Sequence, residues 1–508
     1  MTVDRAYLAA EAAKNSHWYE KPMRYGNLTW VEPDPVHYDI DWWIDFCKRT
    51  HTDVVTLSVG GIVAYYPTQI PLHYRSPWLG ERDLVGEFIT RCRQEGIYVI
   101  ARIDPHAFRD DMAKAHPEWV FVNQDGTPRR HWDNKELWVA CTHGGYTHEY
   151  LTGVIREIMT LYMPDAIFSN RYTGSGICYC ETCRRMFREE TGFELPAPEQ
   201  TDVHDPVRAA YETWNERMLF DRWAYWDAEV KKINPNAIFS PNVGGDVMSM
   251  MNLREVGRRA ERINIDRQGR AARLDPMWSI GRDGRKFSAI FGQKPVAGGY
   301  SVGPEWRYRW KDAVQSIAEL RQFYAVGLAS GMHPSWGKFC GKLYDRRWVE
   351  PIVDMFQWHH QNQRYFRNTA SLAQVGLLYH QHRSWQMDGQ REKAFEDEHA
   401  LGMYHALVEA RIPFDLVHTD LLDERTLAKY RLIILPNTGY LTDAQCALIR
   451  DYVRAGGSVV ATYESTLYQT DGAKRPDFAL ADVFGASYRG TLPGPIINSY
   501  VSIDALPD

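Results

Sequence analysis

DAIFSNRYTGSGICYCETCRRMFREETG, Asp165 to Gly192, decides the reading of this chain. Ala166 to Ser169 is a short apolar run with the composition of a strand buried on both faces. It ends at three polar positions, Asn170, Arg171 and Tyr172. After a glycine-bearing bend, Cys178, Cys180 and Cys183 fall within six residues. A helical pattern over 181–190 follows, and Gly192 stops it as a C′ glycine does. Strand, polar tip, clustered thiols and helix make one βα unit with a site at the carboxyl end of its strand.

The same grammar runs outward in both directions. Apolar runs predict strands at 27–32, 53–59, 97–103, 237–241, 263–265, 295–297 and 328–333. Helical spacing is read between them, at 39–50, 83–96, 146–163, 206–233 and 312–326. With 166–169 this is eight strands alternating with helices, the pattern of a (β/α)8 TIM barrel. The strand tips then share one rim. Glu32, Asp104, His106, Asn170, Arg171, Asn242, Asp266, Glu305 and His333 are expected there. A long excursion, 107–141, interrupts the third unit, and a loop of that length in a compact domain is usually functional.

Near Arg367 the pattern restarts. Strands are expected at 374–379, 414–417, 432–435 and 458–462, with helices at 397–410 and 443–455. This is a smaller doubly wound α/β domain. The expected domains are 1–367 and 368–508. The chain ends at Asp508 soon after its last readable elements, so the second domain is expected either to finish irregularly or to continue in a longer protein.

Bulk properties narrow the function classes. The 508 residues carry a net charge of −6 with mixed signs, which excludes the basic footprint of a nucleic-acid partner. No apolar run has the length of a signal core or a membrane span, so no membrane partner is expected and a cytoplasmic protein is. The 18 Trp and 29 Tyr suit a large core first, and sugar faces second.

The eight cysteines do not form a disulfide framework. Three in one short loop are instead ligands for a soft tetrahedral ion. Cys141 ends the excursion just before the helix leading into the same unit. A four-cysteine structural zinc at Cys141, Cys178, Cys180 and Cys183 is expected, closed to substrate and pinning the loop after strand four.

HPEWVFVNQDGTPRR (His116 to Arg130), Cys141, and SNRY followed by CYCETCRRMFREETG resemble glycoside hydrolase family 42 β-galactosidases and their uncharacterised glycosyl-hydrolase-like relatives. VGLLYHQHRSW, LIILPNTGYLTDAQCALIRDYVRAGGSVVAT and DFALADVFGASY resemble the glutamine-amidotransferase-like trimerisation domain that follows the barrel in that family. The resemblance implies a retaining sugar hydrolase, a structural zinc and a trimer. It also exposes two departures. The family ends strand four with Asn-Glu, the Glu being the general acid/base; here the pair is Asn170-Arg171, and a guanidinium does not titrate near neutrality. The family nucleophile is a Glu ending strand seven; here Gly298 and Gly299 stand there, with no carboxylate before Glu305.

The candidate catalytic residues are therefore Asp104, Glu305 and Asp266, since glycoside hydrolysis generally uses two carboxylates. Asp104 has Arg102 and His106 as neighbours and is equally read as half of an ion pair; Asp266 has Arg267 and Arg270, and a structural ion pair is its first reading. Candidate substrate-binding residues are Glu32, His106, Asn170, Arg171, Tyr172, Asn242, Trp306, His333 and Trp336. Arg171 could hold an acidic group on a sugar or pair with a rim carboxylate. Cys446 lies inside a helix rather than on a strand-to-helix elbow, which makes the second domain an assembly module. The leading expectation is a glycoside hydrolase acting on a carbohydrate in the barrel mouth. The alternatives are a non-hydrolytic sugar-binding or assembly protein, and a barrel lyase or isomerase using Asp104, His106 and Arg171.

Overall fold

The computed structural model describes residues 4–200, 205–243, 251–269, 278–304, 312–367, 369–379, 389–470 and 472–490. Eight strands run in parallel: β1 Tyr25–Thr29, β2 Val54–Gly61, β3 Tyr98–Asp104, β4 Ala166–Ser169, β5 Ile238–Pro241, β6 Ile263–Asp266, β7 Val296–Ser301 and β8 His333–Phe339. Their order, β5-β4-β3-β2-β1-β8-β7-β6, is that of a barrel. Seven neighbouring pairs are hydrogen-bonded in parallel register, and the β5–β6 seam carries no ladder among the described residues.

Strand composition explains burial. Every residue of β2, VVTLSVGG, is buried, because helices cover one face and the barrel interior the other. The helices start where the sequence offers caps. Asp39 accepts the Trp42 N–H at 3.0 Å and opens Ile40–Arg49, whose Ile40, Trp43, Ile44 and Cys47 face the barrel. Asp83 caps Leu84–Gln94 in the same way, accepting the Gly86 N–H at 2.9 Å. Asp165, which opens the decisive stretch, ties three elements together. Its carboxylate takes Arg93 at 2.7 Å, Asn15 at 2.9 Å and the Val99 N–H at 2.7 Å, and the Arg93–Asp165 pair is almost wholly buried. Removing one partner of such a pair costs several kcal/mol, on the order of 3–5.

The last barrel strand corrects two expectations. The apolar run 328–333 is not a strand: Leu328 and Ala329 end the helix Ile317–Ala329, and Gly331 (φ 85°) turns the chain. β8 begins at His333, which therefore lies at the amino end of the barrel, opposite the rim. Trp336 is mid-strand and buried. Gly337 and Phe339 face the barrel interior, so by alternation Trp336 faces the helices. It packs on Trp43 (5.9 Å between centroids) and Phe46 (5.0 Å), and its Nε1 donates to Thr52 Oγ1 at 3.0 Å. Gly26 makes room for it, since a Cβ there would stand 2.3 Å from the indole.

The excursion is not a bare loop. Ala107–Phe108 and Trp138–Val139 form an antiparallel ribbon, and Arg130 stacks 3.5 Å from the Trp138 ring centroid. The second domain holds β9 Val375–Tyr379, β10 Phe414–His418, β11 Leu432–Pro436 and β12 Ser458–Thr462, all parallel in the order β10-β9-β11-β12. That is the expected doubly wound sheet. Thr442 and Gln445 close a capping box on the helix Asp443–Arg454, with Cys446 buried inside it. The domain docks on the barrel helix Ser279–Phe291: Arg285 stacks on Phe414 and donates to its carbonyl, and Trp278 packs 4.8 Å from Tyr404. Among the described residues, no helix is long and apolar enough to cross a membrane.

Candidate active site and cysteine cluster

The carboxyl ends of the strands surround a cavity of about 500 Å³. β3 supplies its centre. Arg102 and Asp104 are two residues apart, so both point into the barrel. Arg102 grips Asp104 through Nε (3.2 Å to Oδ2) and Nη2 (3.0 Å to Oδ1), and its Nη1 reaches Thr29 Oγ1 at 2.9 Å. From β4, Asn170 donates to Asp104 Oδ1 at 2.5 Å; from beyond β5, Asn242 donates to Asn170 Oδ1 at 3.1 Å. One polar chain thus runs from β1 to β5 across the mouth. Burial alone would raise the Asp104 pKa. Arg102, with smaller help from His106 and the Asn170 bond, outweighs it and holds the carboxyl below its usual range. Asp104 is ionised and cannot serve as a proton donor at neutral pH.

Gly61 sets the position of Asp104. β2 and β3 slip register between Ser58 and Gly60, and Gly61 (φ 99°) lies so close that a Cβ would stand 2.3 Å from the Asp104 carbonyl oxygen. The Ile62 N–H then donates to that oxygen at 3.0 Å.

His106, just past β3, also lines the cavity. Burial, against the pull of Asp104, lowers its pKa to about 4, so the ring is neutral. Its Nδ1 is buried with no hydrogen-bond partner among the described residues. The ring stacks on Trp132 of the excursion at 5.7 Å, and Arg171 sits 4.2 Å over the same indole. Arg171 adopts a left-handed backbone (φ 45°) at the tip of β4. Asp266, at the end of β6, faces the same cavity, is exposed, and accepts from Gln268 at 2.8 Å. Its expected partner Arg267 pairs instead with buried Asp283 at 2.7 Å.

Asp104, His106, Asn170, Arg171, Asn242 and Asp266 are therefore brought together. Four candidates are not. Tyr172 is turned inward, its hydroxyl donating to the Leu219 carbonyl at 2.7 Å and its ring under Arg222. Glu32 is tied to Tyr74 (2.5 Å) and to Arg109 of the excursion (2.8 Å), away from the cavity lining. His333 and Trp336 lie where the fold places them, at the barrel's amino end and outside its wall. Glu305 and Trp306 lie outside the described residues. The sequence reading missed Asn27, Asn264, Gln268 and Ser301 in the lining, and Trp132 beside it. The signal for Trp132 was available: an indole in the long excursion, 47% exposed.

Beside the mouth, Cys141, Cys178, Cys180 and Cys183 are all buried, with their sulfurs within 4.8 Å of one another. Cys141 Sγ is 3.5 Å from Cys180 Sγ and 3.4 Å from Cys183 Sγ. These separations are far beyond a disulfide and near the edge, ~3.8 Å, of a tetrahedron with metal–sulfur bonds of about 2.3 Å. The donor set fits a soft metal ion. Hydrogen bonds from Cys141, Cys178 and Cys183 pull the Cys180 thiol far below its ordinary range, so the cluster favours a thiolate.

Residues 39–171 match the family model described as "Hypothetical glycosyl hydrolase 6", and residues 373–489 match "Beta-galactosidase trimerisation domain". The chain is a TIM barrel, similar in part to that hydrolase model, followed by a second domain similar to the trimerisation model. Solved structures agree on this fold. A β-galactosidase from Bacillus circulans sp. alkalophilus superposes with a TM-score of 0.73 at 15% identity, covering 93% of this chain and 77% of that one. A β-galactosidase from Rahnella sp. R3 gives 0.73 at 17% identity, over 91% and 74%. An α-L-fucosidase isoenzyme 2 from Paenibacillus thiaminolyticus gives 0.70 at 19% identity, over 88% of this chain; this chain spans 64% of that protein's length. No curated protein matches the sequence.

Proposed function

We propose that this chain is a glycoside hydrolase that cleaves a small glycoside or oligosaccharide in the barrel mouth. The observation that carries the reading is the ionised Asp104, gripped by Arg102 and Asn170 at the centre of a cavity whose lining is rich in carboxamides, those of Asn27, Asn170, Asn242, Asn264 and Gln268. Carboxamides both donate and accept, as sugar hydroxyls require. Asp104 takes the role of nucleophile or base, because its surroundings stabilise the anion. Asp266, or Glu305 from the loop after β7, takes the role of proton donor that Arg171 cannot fill. His106, Asn170, Arg171 and Asn242 bind substrate. The family models and the hydrolase folds of the neighbours support the reaction class; the fucosidase and β-galactosidases they include make fucosides and galactosides the first substrates to try.

The same reading assigns zinc to the cysteine cluster, the barrel to 1–367, an assembly domain to 368–508, a trimer as the working form, and a cytoplasmic setting. Zinc would hold Cys141 against the loop after β4 and fix the Asn170-Arg171 tip; it takes no part in the chemistry, because four thiolates leave it no open position. The test is hydrolysis of a panel of aryl glycosides by the wild type and by Asp266→Asn and Glu305→Gln. One of the two variants should lose slow-leaving aryl substrates far more than activated ones, which marks the proton donor. A folded, metal-loaded wild type inert to the whole panel and to acidic oligosaccharides would leave the sugar-binding alternative in its place.

A further inference from the structure

His106 stands between two spaces. One is the mouth cavity. The other is a small pocket of about 20 Å³ behind the ring, with Ser169, Arg171, Tyr172 and Arg222 in its walls. Trp132 holds the ring plane, stacked at 5.7 Å between centroids and 19°. Stacking does not decide which ring nitrogen carries the proton; the partners at the two edges do. Nδ1 is buried and meets no partner among the described residues. The Nε2 edge is left for the mouth, where the charge of Asp104 acts on the ring.

The pocket gathers two more unfilled polar atoms. Ser169 Oγ, on the last residue of β4, is buried without a partner among the described residues. Arg222 is 3% exposed. Its Nη1 donates to the Thr142 carbonyl at 2.7 Å and its Nη2 to the Tyr172 carbonyl, while its Nε is buried and unfilled. Among the described residues this guanidinium meets carbonyls and the rings of Tyr172 and Trp226, and it forms no ion pair. A site for one water needs about 10–15 Å³ and two to four polar partners. This pocket meets both conditions and is too small for a sugar or a phosphate.

The partners also orient such a water. Arg222 Nε–H can only donate, so the water turns its oxygen to the guanidinium and its two hydrogens away, toward Ser169 Oγ and His106 Nδ1. Nδ1 then accepts, which leaves the proton on Nε2. The charges agree with this: the N–H end of the imidazole dipole points to the ionised Asp104, and the lone-pair end to the cation behind.

We propose that one ordered water in this pocket links Arg222 Nε and Ser169 Oγ to His106 Nδ1, and that Arg222 is thereby a positioning residue that fixes His106 as an Nε2–H donor to the substrate. The proposal rests on the substrate-binding role given to His106 above. A neutral ring fixed in this way recognises an acceptor oxygen of the sugar, beside a carboxylate that accepts from sugar hydroxyls.

Two measurements on the full chain test this. A crystal structure should show a solvent peak within about 3 Å of His106 Nδ1, Ser169 Oγ and Arg222 Nε. Nitrogen-15 correlation spectra of the imidazoles at pH 7, assigned with His106→Gln, should show a protonated Nε2 and a bare Nδ1. Arg222→Met should turn that signal into a mixture of both tautomers. A wild-type Nδ1–H tautomer, a pocket without solvent density, or an Arg222→Met spectrum identical to the wild type would overturn the proposal. If Arg222→Met does not fold, the wild-type tautomer and the solvent map decide. Neither readout depends on hydrolysis: an inert protein with this tautomer would sink the hydrolase reading and leave the water bridge in place, and an active one with the other tautomer would do the reverse.

Discussion

The two ends of this barrel use the same residue types to opposite ends. At the mouth, Arg102 faces a carboxylate that is itself exposed to a cavity, and the pair completes a polar chain through Asn170 and Asn242. At the floor, Arg262 faces an aromatic ring and has two donors unfilled. Each end also holds a half-buried neutral histidine, His106 above and His333 below. What separates them is the carboxylate. Where Asp104 completes the arginine, the protein has an ionised group presented to solvent and to substrate. At the floor, Asp53 and Asp165 are taken up by Arg24, Arg93 and backbone N–H groups, and they hold the scaffold together.

The comparison can be broken most forcefully through the cysteines. Stripping the metal, or replacing Cys183 by Ser, should lower stability by several kcal/mol, on the order of 5 or more. Hydrogen exchange should then rise first around Asn170 to Cys183 and leave β8 and β1 protected. A variant that binds no metal yet keeps its Tm and exchange pattern would remove the clamp from the mouth.

Acid should act on both ends. His106, His333 and His418 have pKa values near 4, and His359 near 3, each lowered first by burial. Their unfolded values are about 6.5, so between that pH and about 4 the unfolded chain binds more protons than the folded one. Stability is therefore full above about pH 6.5 and falls as pH drops through that window, by roughly 3 kcal/mol for a ring near 4 and roughly 5 for His359, whose window reaches about pH 3. Urea unfolding at pH 7 and pH 5 measures this, and His333→Gln should flatten the floor's share without touching the mouth's.

Gly61→Ala tests how tightly β2 fixes Asp104. It adds a Cβ 2.3 Å from the Asp104 carbonyl in a left-handed backbone, and should cost roughly 2–4 kcal/mol while displacing the carboxylate. Wild-type stability in that variant would mean the strand pair is looser than its geometry. The smallest effect should come from Trp132→Ala. It removes the stacking partner of Arg171 and His106 at an exposed site, so unfolding free energy should change by only about 1 kcal/mol. Sugar affinity should fall more clearly than Tm does.

Most of the architecture was legible because strand β4 and its neighbours are short, apolar and punctuated by caps and glycines. The boundaries failed where an apolar run had two meanings. Residues 328–333 fit a buried helix end as well as a strand, and only Gly331 separates the two. That one misplacement sent His333 to the wrong end of the barrel. Trp336 was misread because alternation within β8 depends on knowing its first residue. Tyr172 follows Arg171, whose positive φ turns the chain and buries the next side chain, and no local pattern announces that turn. Asp104, by contrast, was readable from RIDPH: a strand ending in a carboxylate two residues after an arginine puts both on one face. The four cysteines were legible from spacing, and the fold brought the distant Cys141 to the other three.

The central claim is that the ionised Asp104 at the mouth carries the chemistry. It is tested most directly by comparing kcat/KM of the wild type and Asp104→Asn on whichever aryl glycoside the wild type hydrolyses fastest, with circular dichroism and metal content matched. The account predicts a loss of at least about 10³-fold, the scale of removing a catalytic carboxylate or its electrostatic equivalent. A matched Asp104→Asn protein that retains the wild-type rate would contradict it.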